Sequence, residues 1–284
     1  MMDELQLTEC PRDAMQGIHQ WIPTDMKIKY INLLLEVGFD VIDFGSFVSE
    51  KAVPQMKDTA EVLAGLNLND TKSQLLAIIA NERGAADACQ HERIDIIGFP
   101  FSVSEAFQLR NTRSTRLESL DKVRRILEVA EDHKKTLLIY LSMGFGNPYQ
   151  EEWSPEIVHE WTEKLYQLGI RSFSLSDTIG SSTPEQIHDL FPKLKNAYLD
   201  AYWGMHLHTH PAKWKEKLEA GYAAGCRRFD GAIKGYGGCP MASDQLTGNM
   251  PTELMVEYLN SLSKLKLNVD TLQKAVQMAS QIFP

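Results

Sequence analysis

Short apolar blocks recur along the chain, and between them apolar residues fall three or four positions apart. The blocks read as strands: Leu5-Gln-Leu-Thr-Glu9, Val41-Ile-Asp-Phe-Gly-Ser-Phe47, Leu75-Leu-Ala-Ile-Ile79, Ile94-Asp-Ile-Ile-Gly-Phe99, Leu137-Leu-Ile-Tyr-Leu141, Ser172-Phe-Ser-Leu-Ser176, Tyr202 to His208, and Arg227-Arg-Phe-Asp-Gly-Ala-Ile233. The intervals read as helices. Thr24 is the expected cap of a helix carrying Ile28, Ile31 and Leu35, with Gly38 ending it. A helix opens near Asn81, and another spans Ser119 to Asp132. Ser154-Pro155 caps a helix with an apolar stripe of Val158, Trp161, Leu165 and Leu168. Thr183-Pro-Glu-Gln186 has capping-box spacing before Ile187, Leu190, Phe191 and Leu194. Trp214 to Gly225 is helical, and Cys10-Pro-Arg-Asp-Ala-Met-Gln16 is expected as a loop. Strands alternating with helices predict an α/β fold, a closed (β/α)8 TIM barrel over residues 1–284 as one domain. An open doubly wound sheet is the alternative; no Gly-X-Gly-X-X-Gly follows a strand to support its dinucleotide-binding form.

Composition narrows the partners. The 284 residues are 43% hydrophobic and 24% charged, with a net charge of −9, which argues against nucleic acid or an anionic membrane as partner. No apolar run approaches the length of a membrane span. The amino terminus lacks the basic and apolar regions of a signal peptide, so a cytoplasmic location is expected. Cys10, Cys89, Cys226 and Cys239 are scattered without a CxxC, the pattern of free thiols in a reducing compartment.

Polar residues gather where the strands end, the face on which such barrels carry their chemistry. They are Arg12 and Asp13, Asp43 and Ser46, Asn81, Ser104 and Glu105, Ser142, Asp177 and Thr178, His206 and His208, then Lys234, Cys239 and Asn249. Alternation along a strand turns His206 and His208 to one face, where two imidazoles can bind one divalent ion; two histidines there by chance is the plainer reading. Asp13 and Asn249 complete a shell suited to Mg²⁺, Mn²⁺, Co²⁺ or Zn²⁺, although either could simply cap a helix or hold a turn. Gly235-Tyr-Gly-Gly-Cys239-Pro240 offers a thiol in a glycine loop, an acid or nucleophile unless the thiol is incidental. Arg110, Arg113 and Arg116 either steer an anionic ligand or form a solvated helix start. His19 shares the first loop with Asp13.

Several of these pieces occur together in one family. Pro11-Arg12-Asp13-Ala-Met-Gln16, Val41-Ile-Asp-Phe-Gly-Ser46-Phe-Val-Ser49, Val53-Pro-Gln-Met56, Ser174-Leu-Ser-Asp177-Thr178-Ile-Gly180, His206-X-His208 and Gly237-Gly-Cys239-Pro240 resemble the 3-hydroxy-3-methylglutaryl-CoA lyases of the DRE-TIM metallolyases. The resemblance implies a TIM barrel holding Mg²⁺ or Mn²⁺ that cleaves its CoA thioester to acetyl-CoA and acetoacetate, and a homodimer. By the same resemblance Asp13, His206, His208 and Asn249 are the metal ligands. Arg12 steadies an enolate oxygen, Cys239 protonates or shields the product, and Asp43 and Asp177 handle protons. Gln16, Ser46, Asn81, Ser142, Thr178 and Lys234 are assigned to the CoA substrate.

The chain departs from that family at several points. Ala14 replaces a glycine, Thr8 stands where an acid is usual with Glu9 beside it, and Asp43 replaces a glutamate. His19 replaces a basic residue, Thr209-His210-Pro211 an acidic one, Lys234 a small one, and Phe145-Gly-Asn-Pro the usual segment after strand five. The metal set survives; Lys234 and His210 are the places where the acyl preference is expected to change. A condensing enzyme like the isopropylmalate or citramalate synthases is a competing reading, against which the chain has no room for a regulatory domain. A barrel that binds CoA esters without catalysis is another.

Overall fold

The computed structural model describes residues 4–238 and 247–283. Eight parallel strands close into a barrel in sequence order, β1 pairing with β8. They are β1 (Gln6–Glu9), β2 (Val41–Ser46), β3 (Gln74–Ile78), β4 (Ile96–Ser102), β5 (Thr136–Ser142), β6 (Ser172–Asp177), β7 (Tyr202–Leu207) and β8 (Arg228–Gly231). The helices are α1 (Pro11–Gln16), α2 (Thr24–Val37), α3 (Thr59–Ala64), α4 (Glu82–Cys89), α5 (Glu105–Thr112), α6 (Arg116–Asp132), α7 (Pro155–Gln167), α8 (Pro184–Ala197), α9 (Trp214–Ala223), α10 (Thr252–Leu262) and α11 (Val269–Ile282). No helix among the described residues is long and apolar enough to cross a membrane.

The strands are buried on both faces, as parallel strands under a helical layer must be. Outward residues such as Leu75, Ile97, Ile139 and Phe173 join the helices' apolar stripes in the main core. Val41, Leu76, Ile96, Leu138 and Tyr140 fill the barrel interior with Ile78. Arg228 is also buried there, its Nη2 donating to Phe173 O at 2.9 Å. Gly204 makes that possible, because a Cβ at 204 would lie 2.0 Å from Arg228 Nε.

Two local expectations change. Residues 11–16 form a helix rather than a loop: Pro11 occupies its first turn, where a missing N–H costs nothing. Thr24 lies inside α2, capped by Pro23, and its hydroxyl donates to Asp58, which also pairs with Lys27 Nζ at 2.8 Å. α10 and α11 follow the eighth strand; Phe283 just after α11 packs edge-on against Tyr30 of α2 at 5.7 Å. The caps at Ser154 and Thr183 form as the spacing predicts, and Asn81 itself caps the helix expected near it.

Glu9 shows what a strand's alternation does with a carboxyl. Thr8 hydrogen-bonds Asp230, whereas Glu9 turns the other way, accepting from Ile233 N at 3.0 Å and from the Thr252 hydroxyl. It therefore does not replace the acid missing at Thr8. Burial pushes its carboxyl up to about 8, against the pull of Thr252 and Ile233. The folded chain thus holds this proton more tightly than the unfolded one, where the ordinary value is 4.5. Stability from Glu9 is complete below pH 4.5, declines as pH rises to about 8, and is flat beyond it. Glu9→Gln is expected to flatten that decline, worth on the order of a few kcal/mol. Urea unfolding of both proteins between pH 5 and 9 measures it; identical pH slopes would contradict the assignment.

Candidate metal and acyl-thioester site

The site is assembled at the carboxyl ends of β1, β2, β7 and β8. In α1 the helical repeat places Arg12, Asp13 and Gln16 within one turn. Arg12 Nη1 donates to Asp13 Oδ1 at 3.0 Å and to Gln16 Oε1 at 2.8 Å, and Gln16 Nε2 donates to Asp13 Oδ1 at 2.6 Å. The rest of the guanidinium forks onto Asp43 of β2, with Nε 3.1 and 3.0 Å from the two carboxylate oxygens and Nη2 2.5 Å from Oδ2. A register shift in β2 between Asp43 and Gly45 returns Ser46 to the face of Asp43. Ser46 Oγ is buried without a partner.

His206 lies in β7, paired in register with Ser176 and Asp230. His208 falls one residue past the strand's end and forms an isolated antiparallel bridge with Asn249. That bridge brings two predicted ligands from distant parts of the chain side by side. The ring nitrogens His206 Nε2 and His208 Nε2 are 3.1 Å apart, and His208 Nε2 is 4.0 Å from Asp13 Oδ2. One ligand atom each from Asp13, His206 and His208 lies within 4.8 Å of the others, and all three residues are buried. Asn249 Nδ2 donates to Asp13 Oδ2 and to Tyr236 O at 2.9 Å, and its Oδ1 is buried with no partner. Gly237, at φ +103°, packs so closely that a Cβ would lie 2.7 Å from Asn249 Nδ2.

The electrostatics suit a cation. Burial and the adjoining His206 hold His208 down to about 4, so its ring is neutral near pH 7. Burial opposes charge on His206, but Asp230 outweighs it and raises that ring. Asp13 lies well below the usual carboxylate range: burial works against its charge, but Arg12 and the two imidazoles prevail. Two facing imidazole nitrogens, an ionised carboxylate and an unpartnered amide oxygen fit a divalent ion with room for substrate oxygens. His208 Nδ1 lies 2.9 Å from Thr178 O, which as acceptor leaves the Nε2 lone pair on the side of His206 and Asp13. His206 Nδ1 sits 3.3 Å from Asp230 Oδ2, and Tyr140 meets the His206 ring edge-on at 5.5 Å.

The other predicted residues divide. Ser142 is buried at the end of β5, and the Thr178 hydroxyl accepts from Met143 N at 2.8 Å. Asp177 is held by three hydrogen bonds. Its oxygens accept from Ser181 N at 2.8 Å, Ser182 N at 2.9 Å and Lys217 Nζ at 2.7 Å. Asn81 spends its side chain capping α4 through Gly84 N. Lys234 is exposed, its ammonium bonding Ser280 of α11. His19 is exposed, and so is His210, whose Nδ1 accepts from Ala212 N. Arg116 pairs with Glu105 and Arg110 lies over the Tyr149 ring, so the cationic stretch is largely spent on structure. Cys239 lies outside the described residues. Cys10, Cys89 and Cys226 are buried free thiols. Asp230, Tyr140 and Lys217 were not legible as site residues; the first two needed the barrel's register and the third its tertiary fold.

Known proteins resemble this chain over most of its length. The hydroxymethylglutaryl-CoA lyase YngG of Bacillus subtilis is 31% identical over 272 residues, which is 96% of this chain and 89% of that protein. The mitochondrial hydroxymethylglutaryl-CoA lyase of Macaca fascicularis is 34% identical over 254 residues, 89% of this chain and 77% of that protein. The structure of an HMG-CoA lyase from Acinetobacter baumannii in complex with coenzyme A and 3-methylmalate superposes with a TM-score of 0.92 at 30% identity, covering 99% and 92% of the two chains. The HMG-CoA lyase structure from Brucella melitensis gives 0.89 at 28% identity, covering 98% of each. The family model described as HMGL-like matches residues 6–282, and the chain belongs to that family.

Proposed function

We propose that this chain is a divalent-metal-dependent carbon–carbon lyase cleaving 3-hydroxy-3-methylglutaryl-CoA to acetyl-CoA and acetoacetate. The observation that carries the reading is the buried Asp13–His206–His208 cluster standing beside the Arg12–Asp43 fork. Asp13, His206, His208 and Asn249 would hold the ion, with Mg²⁺ or Mn²⁺ as the proposed metal. When bound, the ion lowers the cost of deprotonating the substrate's tertiary hydroxyl.

The residues supply the rest. Burial pushes Asp43 up to about 6 against the pull of Arg12, so this carboxyl can exchange a proton near neutral pH. It takes the hydroxyl proton; the carbon–carbon bond then breaks, and its electron pair passes to the acetyl-thioester enolate. Arg12 has five N–H donors, and four are engaged by Asp43, Asp13 and Gln16. The remaining Nη2 hydrogen is available to the enolate oxygen, where charge develops. Cys239 is the proposed donor of the proton to the enolate carbon. Gln16, Ser46, Ser142 and Thr178 line the approach to the thioester. A cytoplasmic homodimer is the proposed working form, by resemblance to the lyases alone.

Lys234 and His210, the positions expected to alter acyl preference, are exposed and bonded elsewhere, to Ser280 and Ala212 N. Hydroxymethylglutaryl-CoA is therefore expected to be turned over fastest in a panel of 3-hydroxyacyl-CoA thioesters with Mn²⁺ added. Faster cleavage of another thioester would overturn the substrate; no cleavage of any would overturn the reaction.

A further inference from the structure

The structure assigns to Lys217 the role of a positioning residue that sets the backbone and ring orientation of His208. This rests on the reading of His208 as a metal ligand. Lys217 lies in α9, within an alternation of lysines and glutamates that reads as a solvated helix face. Its side chain is instead almost fully buried, at 1% exposure. Helical side chains lean toward the amino terminus, which carries this one back over the end of β7.

An ammonium has three N–H donors, and here each has one acceptor. Nζ is 2.7 Å from Asp177 Oδ2, 3.0 Å from Gly180 O and 3.0 Å from His208 O. The choice of acceptors matters more than their number. His208 O is the ligand's own carbonyl. Asp177 and Gly180 bracket the turn whose Thr178 O meets His208 Nδ1 at 2.9 Å. Asp177 O also accepts from His208 N at 3.1 Å. One buried cation therefore ties together both the backbone of His208 and the carbonyl that selects its tautomer. With Nδ1–H donating to Thr178 O, the Nε2 lone pair faces Asp13. Asp177 needs the lysine in return, because its other partners are two neutral backbone N–H groups.

Lys217→Met removes all three donors while keeping the apolar stem. Lys217→Gln keeps an amide donor and provides a folded variant where the methionine chain does not fold. Two measurements on folded protein separate positioning from simple stability. Nitrogen-15 spectra of the metal-free protein report the His208 tautomer, and titration with Mn²⁺ reports affinity. The expected result is a single Nδ1–H tautomer in the unsubstituted protein, a mixture in the variants, and Mn²⁺ affinity lowered roughly 10- to 100-fold. A folded variant with the original tautomer and original Mn²⁺ affinity would overturn the role, even if it melts earlier. Failure of the unsubstituted protein to bind Mn²⁺ would defeat the metal reading instead, and the tautomer measurement would still decide whether Lys217 sets the ring.

Discussion

Alanine at His206 or His208 is expected to abolish divalent-metal binding in calorimetry and to lower turnover by at least about 10³-fold, the loss of several kcal/mol of transition-state stabilisation. The two ring nitrogens stand 3.1 Å apart in a buried site, and neither has a substitute among the described residues that could reach the same point. The remaining imidazole, the Asn249 amide and an Asp13 already paired with Arg12 would make an incomplete shell. Each substitution also removes an Nδ1 contact, His206 to Asp230 or His208 to Thr178 O, so circular dichroism on each variant separates lost metal binding from lost fold. Wild-type metal affinity in either variant would remove the cluster from the mechanism.

Arg12→Gln is expected to lower kcat about 10²- to 10³-fold, the cost of losing a positioned donor to a developing oxyanion. Metal binding should persist, since the ligand atoms remain. Arg12→Lys should not restore the rate: an ammonium keeps the charge but cannot fork onto Asp43 while reaching Asp13 and Gln16. Steady-state kinetics with Mn²⁺ distinguishes the role. A raised KM with unchanged kcat would make Arg12 a binding group of equal value before and during reaction.

The barrel was legible because parallel strands buried on both faces need continuous apolar blocks, and those blocks stand out against amphipathic helices. The ends of elements were less legible. Residues 11–16 contain proline, arginine and aspartate, which read as a loop, yet proline in the first turn and a glutamine four residues after an arginine suit one short helix. The candidate metal cluster was legible from residue type and strand position together, because two histidines at period two share a face. Its supports were not. Asp230 and Tyr140 reach His206 only through the barrel's closure, and Lys217 is indistinguishable in sequence from its exposed neighbours Lys213 and Lys215. Asn81 and Lys234 show the converse case. Both sit after strand ends, but one caps a helix and the other reaches outward to α11.

The proposed reaction breaks a carbon–carbon bond in hydroxymethylglutaryl-CoA, with Asp13, His206, His208 and Asn249 as the proposed metal ligands. The most direct test is chromatographic analysis of that substrate after incubation with the Mn²⁺-loaded protein and with the same protein after chelation. Acetyl-CoA and acetoacetate are expected in equal amounts from the loaded protein and neither after chelation, with activity restored by added Mn²⁺. Intact substrate in the loaded sample, or equal cleavage in the chelated one, would contradict the proposed reaction.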